Sequence, residues 1–257
     1  MHRLWITIAS LWAWLVLAVV IAVWLPLMAL TRLVTAPFDR GRYTVGLLFR
    51  KIAVVQAALN PLWRFRRSGV PISNPRRPYV VVSNHESFVD ILLISHLPWE
   101  MKWLSKAELF RIPVMGWEMA IAGDIPVHRG RPSSAAEAMA RCRDILKDRV
   151  SVMIFPEGTR SAGGDLLPFK DGAFRLAIKA GVPVLPLAIS GTATALRKNS
   201  WRMGRSNAEV RVLPPVETTG LTLRDAPALR DQVRELIGAA REEMRGGAGN
   251  GKGETRK

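Results

Sequence analysis

Residues 79–90, YVVVSNHESFVD, decide the fold, because a run of valines leads into a polar turn and then an apolar segment. Residues 79–83 predict a short buried strand, and residues 91–97 predict a helix. His85 would follow the carboxyl end of that strand, where open α/β sheets bind their ligands. In one continuous helix His85 and Asp90 would point about 140° apart, so their contact requires His85 in the turn and Asp90 in the first helical turn. Asp90 would then hold one imidazole nitrogen and leave the other as a base.

Short apolar runs alternate with helical patterns along most of the remaining chain. The predicted strands are residues 101–104, 124–127, 151–155, 184–189 and 210–213. The predicted helices are residues 133–147, with Ser133 or Ser134 as N-cap, 171–180 and 226–244. This alternation predicts an α/β domain with a largely parallel sheet flanked by helices.

A second polar turn follows another apolar segment, in residues 155–161, FPEGTRS. Gly158 allows the backbone to come close to a ligand, Thr159 is a donor, and Arg160 presents a bidentate fork for phosphate or carboxylate. Glu157 is expected either to position Arg160 or to accept a hydrogen bond from a substrate hydroxyl. The two turns together predict a base that deprotonates a hydroxyl beside an anion-binding loop.

The beginning of the chain predicts a membrane segment. Residues 4–30 are apolar, and no charged residue lies between Arg3 and Arg32. Such a run is long enough to cross a hydrocarbon layer about 30 Å thick. It is also longer than the apolar region of a cleaved signal, which is about 7–15 residues. Residues 44–63 show apolar side chains at helical spacing broken by basic ones, which predicts an amphipathic helix.

Three regions follow from these patterns. We expect membrane-associating helices in residues 1–65, a catalytic domain in residues 66–245 and a disordered, Gly-rich tail in residues 246–257. The basic residues after the apolar run indicate that the catalytic domain faces the cytoplasm from the cell inner membrane. Both a membrane-spanning helix and insertion into one leaflet fit this orientation.

Composition restricts the partners and the chemistry. Lys and Arg number 37 against 21 Asp and Glu, and the net charge of +16 favours anionic partners. A nucleic-acid binder is disfavoured, because the aromatic residues crowd into the apolar N-terminus instead of alternating with Lys and Arg. There is no Gly-x-Ser-x-Gly motif, and the sole cysteine, Cys142, lies in an ordinary helix. A base without an enzyme nucleophile indicates direct attack by a substrate hydroxyl on a reactive group such as a thioester. Metal-ligand spacing is absent from His85, His96, His128 and Cys142.

Four segments, in order, resemble the motifs of the glycerolipid acyltransferases. Residues 84–90 match their Asn-His-x4-Asp motif, and residues 155–161 match their Glu-Gly-Thr-Arg motif. Residues 110–129 resemble the intermediate motif, which ends in a substrate-binding Arg, and residues 182–187 resemble the fourth, Pro-containing motif. The closest branch is the 1-acylglycerol-3-phosphate (lysophosphatidate) acyltransferases, whose members carry an N-terminal two-helix membrane segment.

One position departs from the family pattern. His128 precedes Arg129, where the intermediate motif often has an acidic residue. The departure affects any role for that side chain but not the role of Arg129.

The resemblance implies transfer of a fatty acyl group from a thioester of acyl carrier protein or coenzyme A to the sn-2 hydroxyl of a lysophosphatidate, with no metal or bound cofactor. Another lysolipid, such as a lyso-aminolipid, stays open as the acceptor. His85 would be the general base and Asp90 its orienting carboxylate. The implied substrate-binding residues are Lys106, Arg129, Glu157, Gly158, Thr159 and Arg160.

Overall fold

Seven strands form one sheet in the computed structural model, which describes residues 2–128, 130–161, 164–197 and 199–250. Their order is β1-β7-β6-β2-β5-β3-β4, and every neighbouring pair is parallel except β6 and β7. The strands are β1 (Trp63–Gly69), β2 (Val80–Ser83), β3 (Met101–Lys106), β4 (Ile125–Val127), β5 (Ser151–Ile154), β6 (Val184–Ser190) and β7 (Ser206–Val212). The predicted largely parallel α/β sheet is therefore confirmed.

Helices cover both faces of the sheet. They are α1 (His2–Thr35), α2 (Tyr43–Ala58), α3 (Val89–Ile94), α4 (Met115–Ala122), α5 (Pro132–Lys147), α6 (Gly172–Ala180) and α7 (Ala226–Asn250). Two 3₁₀ turns, Ala107–Arg111 and Thr192–Thr194, complete the described elements. Side chains alternate along β2: Val80 and Val82 pack with α5, α6 and α7, whereas Val81 packs with α3. Because helices cover both faces of the sheet, the side chains on both faces of β2 are buried, and its sequence is a continuous apolar run.

The structure corrects several sequence predictions. The predicted helix 44–63 ends at Ala58, and β1 begins at Trp63, so the predicted domain boundary after residue 65 falls inside a strand. This strand is rich in Arg because it lies at the edge of the sheet, where most of its residues are exposed. α4 was not predicted, and α5 begins after Arg131 with no side-chain cap, while Ser134 instead accepts a hydrogen bond from the His128 amide.

The predicted disordered tail also begins inside a helix. α7 includes residues 246–250 as helix. Residues 251–257 lie outside the described part of the chain.

α1 packs lengthwise on the rest of the protein. Three indole N–H groups donate to backbone carbonyls outside α1: Trp12 to Leu59, Trp14 to Trp201 and Trp24 to Leu48, at 2.8–3.0 Å. Among the described residues one helix, Arg3–Thr35, is long and apolar enough to cross a membrane, and 22% of its most apolar window is buried.

A buried charge cluster joins α2 to the sheet. The Arg50 guanidinium on α2 pairs with Asp124 and lies 3.5 Å from Glu100. The Lys102 ammonium donates to Glu100 at 2.9 Å and to the Arg42 carbonyl at 2.8 Å. Removing one member of a buried ion cluster would leave an unpaired charge in the interior, which is energetically costly. These contacts therefore hold the N-terminal helices in a defined position on the catalytic domain.

Candidate active site

The turn between β2 and α3 brings His85 and Asp90 together. The Nδ1 atom of His85 lies 2.7 Å from Oδ2 of Asp90, and both side chains are buried. Asp90 is in the first turn of α3, while His85 precedes the helix, as the contact requires. The imidazole also stacks on Phe155, with ring centroids 3.9 Å apart.

Asp90 is held by donors at both of its oxygens. Oδ2 accepts the Glu86 amide at 2.7 Å and the Ser87 amide at 3.0 Å, and Oδ1 accepts the Thr192 hydroxyl. An ionised carboxylate in this position requires the His85 proton on Nδ1. We infer that Nε2 is left unprotonated, and it has no hydrogen-bond partner among the described side chains.

The second polar turn holds the backbone of His85. Oε1 of Glu157 accepts the His85 amide at 2.8 Å, and the Ser161 amide donates to the His85 carbonyl at 2.8 Å. The other Glu157 oxygen accepts the Leu167 amide at 3.2 Å. Burial raises the pKa of Glu157, and the two amide donors partly offset this effect. In this structure the Glu157 carboxylate accepts from backbone amides at both of its oxygens. The predicted roles of Glu157, positioning Arg160 or accepting from a substrate hydroxyl, stay predictions.

An arginine on the last helix, α7, contacts the turn that contains His85. Arg241 on α7 is 1% exposed, and its Nε donates to Glu86 at 3.0 Å. Glu86 belongs to the same turn as His85, and its other oxygen lies 3.5 Å from the Thr192 hydroxyl. Sequence reasoning missed Arg241, although an arginine on the apolar face of a predicted helix, beside Ala240 and Met244, is a usable signal for a buried ion pair.

His85 lines a cavity of about 820 Å³. Lys106, Thr159 and Arg160 line it, as does Arg197, which was not predicted. Lys106 is half-exposed and lies 3.6 Å from Glu108. Arg129 lies outside the described residues. Among the described residues, three cations therefore border the cavity that His85 lines.

Gly158 belongs to a neighbouring cavity of about 640 Å³. Its φ of +71° is a conformation that glycine adopts without strain, and a Cβ there would lie 2.9 Å from the Lys170 Nζ. Leu104 and Phe155 line both cavities, so the two meet at the aromatic ring on which His85 stacks.

A third, apolar cavity of about 110 Å³ lies between the N-terminal helices and α3 and α4. It shares five lining residues with the cavity that His85 lines: Phe88, Ile91, Trp103, Ser105 and Leu109. The Glu118 carboxyl also lines it, fully buried and without a hydrogen-bond partner within the described part of the chain. Burial raises the pKa of Glu118 to about 8.

Cys142 lies in a position that disfavours a nucleophilic thiolate. It is fully buried under the sheet, and burial raises the pKa of its thiol to about 12. Within the described ranges, no group of three or more His, Cys, Asp or Glu side chains is arranged to hold a metal ion.

Comparison with known proteins shows the family to which this chain belongs. Residues 65–190 match the family model described as Acyltransferase, and close relatives extend the match over most of the chain. The chain therefore belongs to the acyltransferase family, which confirms the resemblance of its motifs.

The relatives carry specific names. The chain is 41% identical over 180 residues to the 1-acyl-sn-glycerol-3-phosphate acyltransferase alpha of Homo sapiens, a match covering 69% of this chain and 64% of the human protein. It is 37% identical over 216 residues to the protein of the same name in Mus musculus, covering 82% and 76% of the two chains. The match thus spans just under two thirds of the human protein.

A solved structure agrees over the whole length. The crystal structure of the 1-acyl-sn-glycerophosphate (LPA) acyltransferase, PlsC, from Thermotoga maritima superposes with a TM-score of 0.80 at 25% identity. The comparison covers 100% of both chains.

Proposed function

We propose that this protein transfers a fatty acyl group from an acyl thioester to the sn-2 hydroxyl of a 1-acylglycerol-3-phosphate, making phosphatidate. The observation that carries the proposal is the His85–Asp90 pair opening into a cavity bordered by Lys106, Arg160 and Arg197. The names of the human and mouse relatives support the same acceptor.

The proposed step needs one base and no enzyme nucleophile. The acceptor hydroxyl donates its proton to Nε2 of His85 while its oxygen attacks the thioester carbonyl carbon. The carbon–sulfur bond then breaks, and the imidazolium returns the proton to the departing thiolate. Asp90 holds the ring and stabilises its charged form throughout. The step uses side chains of the protein and the two substrates, without a metal or a bound cofactor.

The charge around the cavity favours a phosphate monoester as the acceptor head group. A dianionic phosphate can pair with several of the bordering cations, whereas a zwitterionic head group would place its own cation beside them. Lys106 and Arg160 are proposed to bind the phosphate, with Thr159 as a neutral donor. Arg129 is proposed to join them on the basis of its motif alone.

The apolar cavity is proposed to receive an acyl chain. It opens beside the His85 cavity and is walled by Leu17 and Ile21 of α1 on its other side. A chain could therefore pass from the membrane helices to the reacting atoms without crossing water.

We further propose that α1 and α2 form the membrane segment and that α1 lies in one leaflet. Trp14 contacts the catalytic domain at Trp201, and Met28 packs against Ala122, about 21 Å further along the helix. A helix fixed to the catalytic domain at both places cannot also stand across the bilayer. Its outward face is apolar and exposed, at Leu4, Ile8, Leu11, Leu15, Val19, Val23, Leu27 and Leu30. The basic residues that follow favour the cytoplasmic side of the inner membrane.

Purified full-length protein in detergent tests the reaction. Lysophosphatidate, a lyso-aminolipid and lysophosphatidylcholine are supplied at equal concentration with an acyl-coenzyme A or an acyl-carrier-protein donor. We expect lysophosphatidate to be preferred, and His85→Ala to lower turnover about 10²–10⁴-fold. His96→Ala is the matched control, because His96 lines neither large cavity.

The acceptor is tested separately. Arg160→Ala should raise the KM for lysophosphatidate about tenfold with little change for the donor, and Arg160→Lys should recover only part. A tenfold preference of the wild-type protein for another lysolipid would show that the acceptor is wrong while acyl transfer stands. Turnover of His85→Ala within threefold of wild type would rule out the proposed base.

A further inference from the structure

A trough runs along the outer surface of α5 and α6 from the edge of the active site. Its inner part is the cavity of about 640 Å³ that begins at Phe155 and Gly158. Its outer part is a groove of about 280 Å³ that shares Ala136, Met139 and Gly172 with the inner part. We call the two parts together the α5–α6 trough. It is separate from the cavity that His85 lines and meets that cavity at Leu104 and Phe155.

The trough is positively charged along its length. Arg131 and Lys170 line the inner part, and Arg143, Arg175 and Lys179 line the outer groove. Neither lining includes Asp or Glu, and none of these five cations forms a salt bridge within the described residues. The floor between them consists of small and apolar side chains, including Ala140, Met139 and Leu176. The expected occupant is therefore a slender molecule with an apolar body and an anionic far end.

Length and direction support a linear ligand that reaches the reacting atoms. From Pro132 to Arg143 the trough follows α5 for about 16 Å. Its inner end touches Phe155, whose ring lies 3.9 Å from that of His85. A ligand lying in the trough would bring one end to the base and leave the other beside the outer cations.

We propose that the α5–α6 trough binds the phosphopantetheine arm of the acyl thioester donor, with its phosphate at Arg143, Arg175 and Lys179. The proposal rests on the proposed function, since a two-substrate transfer requires a second approach to His85. The arm is an extended chain with an apolar dimethyl group and two amides, it ends in the reacting sulfur, and it carries a phosphate at the other end. Coenzyme A and acyl carrier protein present the same arm, so the trough serves either source.

A charge-reversal variant tests the assignment. Arg143→Glu, Arg175→Glu and Lys179→Glu are combined, and KM is measured for decanoyl-coenzyme A, decanoyl-carrier protein and the decanoyl thioester of N-acetylcysteamine, which lacks the phosphate. We expect the KM for both phosphate-bearing donors to rise about tenfold or more, while use of the truncated thioester and the KM for lysophosphatidate stay unchanged. Added salt should raise the wild-type KM for both long donors and should have a smaller effect on the variant.

A control variant carries three substitutions that change the net charge by the same amount as the trough variant does. It combines Arg141→Glu, Lys147→Glu and Arg224→Glu, which are exposed and line no part of the trough. Arg141 lies two residues from Arg143 on α5 and therefore points about 200° away.

An unchanged KM for the donors in the trough variant would overturn the proposal. An effect equal to that of the control variant would also overturn it. If the KM rises for only one of the two long donors, the cations bind a part of that donor outside the phosphopantetheine arm, and the proposal is wrong. If the KM rises for lysophosphatidate alone, the cations bind the acceptor, and the proposal is also wrong. Wild-type protein that transfers no acyl group from any thioester would instead refute the proposed function itself.

Discussion

At the scale of single residues, His85 is positioned through both its side chain and its backbone. Asp90 holds the imidazole, Glu157 accepts the amide, and Ser161 donates to the carbonyl. Because transfer requires the base within hydrogen-bond reach of the acceptor hydroxyl, a shift of about 1 Å in either turn would reduce turnover. The second turn therefore supports the base as well as bordering the cavity with Arg160.

Glu118 presents a different case, a buried carboxyl without a partner. Its pKa of about 8 lies above the ordinary value of 4.5, so the folded protein keeps a proton that the unfolded chain releases between these pH values. Stability from this group is fully present below about pH 4.5 and is lost as pH rises towards 8. The loss is at most about 1.4 kcal/mol for each pH unit.

We expect Glu118→Gln to remove this pH dependence. Thermal unfolding of the full chain in detergent, followed between pH 5.5 and pH 8.5, should show the variant gaining stability relative to wild type as pH rises. Glu137→Gln on the exposed face of α5 is the control and should follow the wild-type curve. Parallel curves for Glu118→Gln and wild type would mean that Glu118 is ionised in the folded protein.

At the scale of elements, α7 supports the active-site turn from below. Arg241 reaches Glu86 beside His85, and its Nη2 also donates to the Gly164 carbonyl. Glu86 and Thr192 connect this arginine to Asp90. The last helix is therefore connected to the His85–Asp90 pair through buried hydrogen bonds.

Arg241→Met should be strongly destabilising, because it removes the nearer and more buried cation of Glu86, 2.9 Å away, and leaves only Arg245 at 3.9 Å. The expected loss is about 3–5 kcal/mol in the free energy of unfolding, with turnover reduced more than tenfold. Adding Glu86→Gln should restore part of the stability, since the stranded charge is removed. Arg230→Met on the same helix breaks only partly exposed ion pairs, with Asp171 and Asp231, and should cost about 0–1 kcal/mol. Equal losses for Arg241→Met and Arg230→Met would contradict the coupling.

At the scale of the whole molecule, the N-terminal helices and the catalytic domain share one interior. The buried cluster of Arg50, Asp124, Glu100 and Lys102 fixes α2 to the sheet, and α1 packs against α2 and α4. The apolar cavity lies in the space between them. This arrangement keeps the active site close to whatever surface covers the outer face of α1.

The proposed one-leaflet position predicts that both ends of α1 lie on one side of the membrane. Arg3→Cys and Arg40→Cys are made separately in a Cys142→Ser background, which removes the sole native cysteine. An impermeant maleimide should label both variants from the same face of oriented membrane vesicles. Labelling of the Arg3→Cys variant only from the opposite face would show that α1 crosses the bilayer.

The sequence by itself determined those features whose information lies within a few neighbouring residues. The valine run and polar turn of residues 79–90 specify a strand, a turn and a helix, and helical geometry alone shows how His85 and Asp90 can meet. The uncharged run of residues 4–30 specifies a long apolar helix in the same way. Periodicity also located α5 and α6 to within about a residue.

Only the tertiary structure decided which distant groups meet. β1 pairs with β7, placing Trp63 beside Ser206, and no local pattern in an Arg-rich segment reveals that partner. Two hydrogen bonds depend in the same way on how separate elements pack. The His85 amide donates to Glu157, and Arg241 donates to Glu86. The physical reason is that periodicity reports which face of an element is buried, whereas the partner of a buried polar group depends on the full three-dimensional packing.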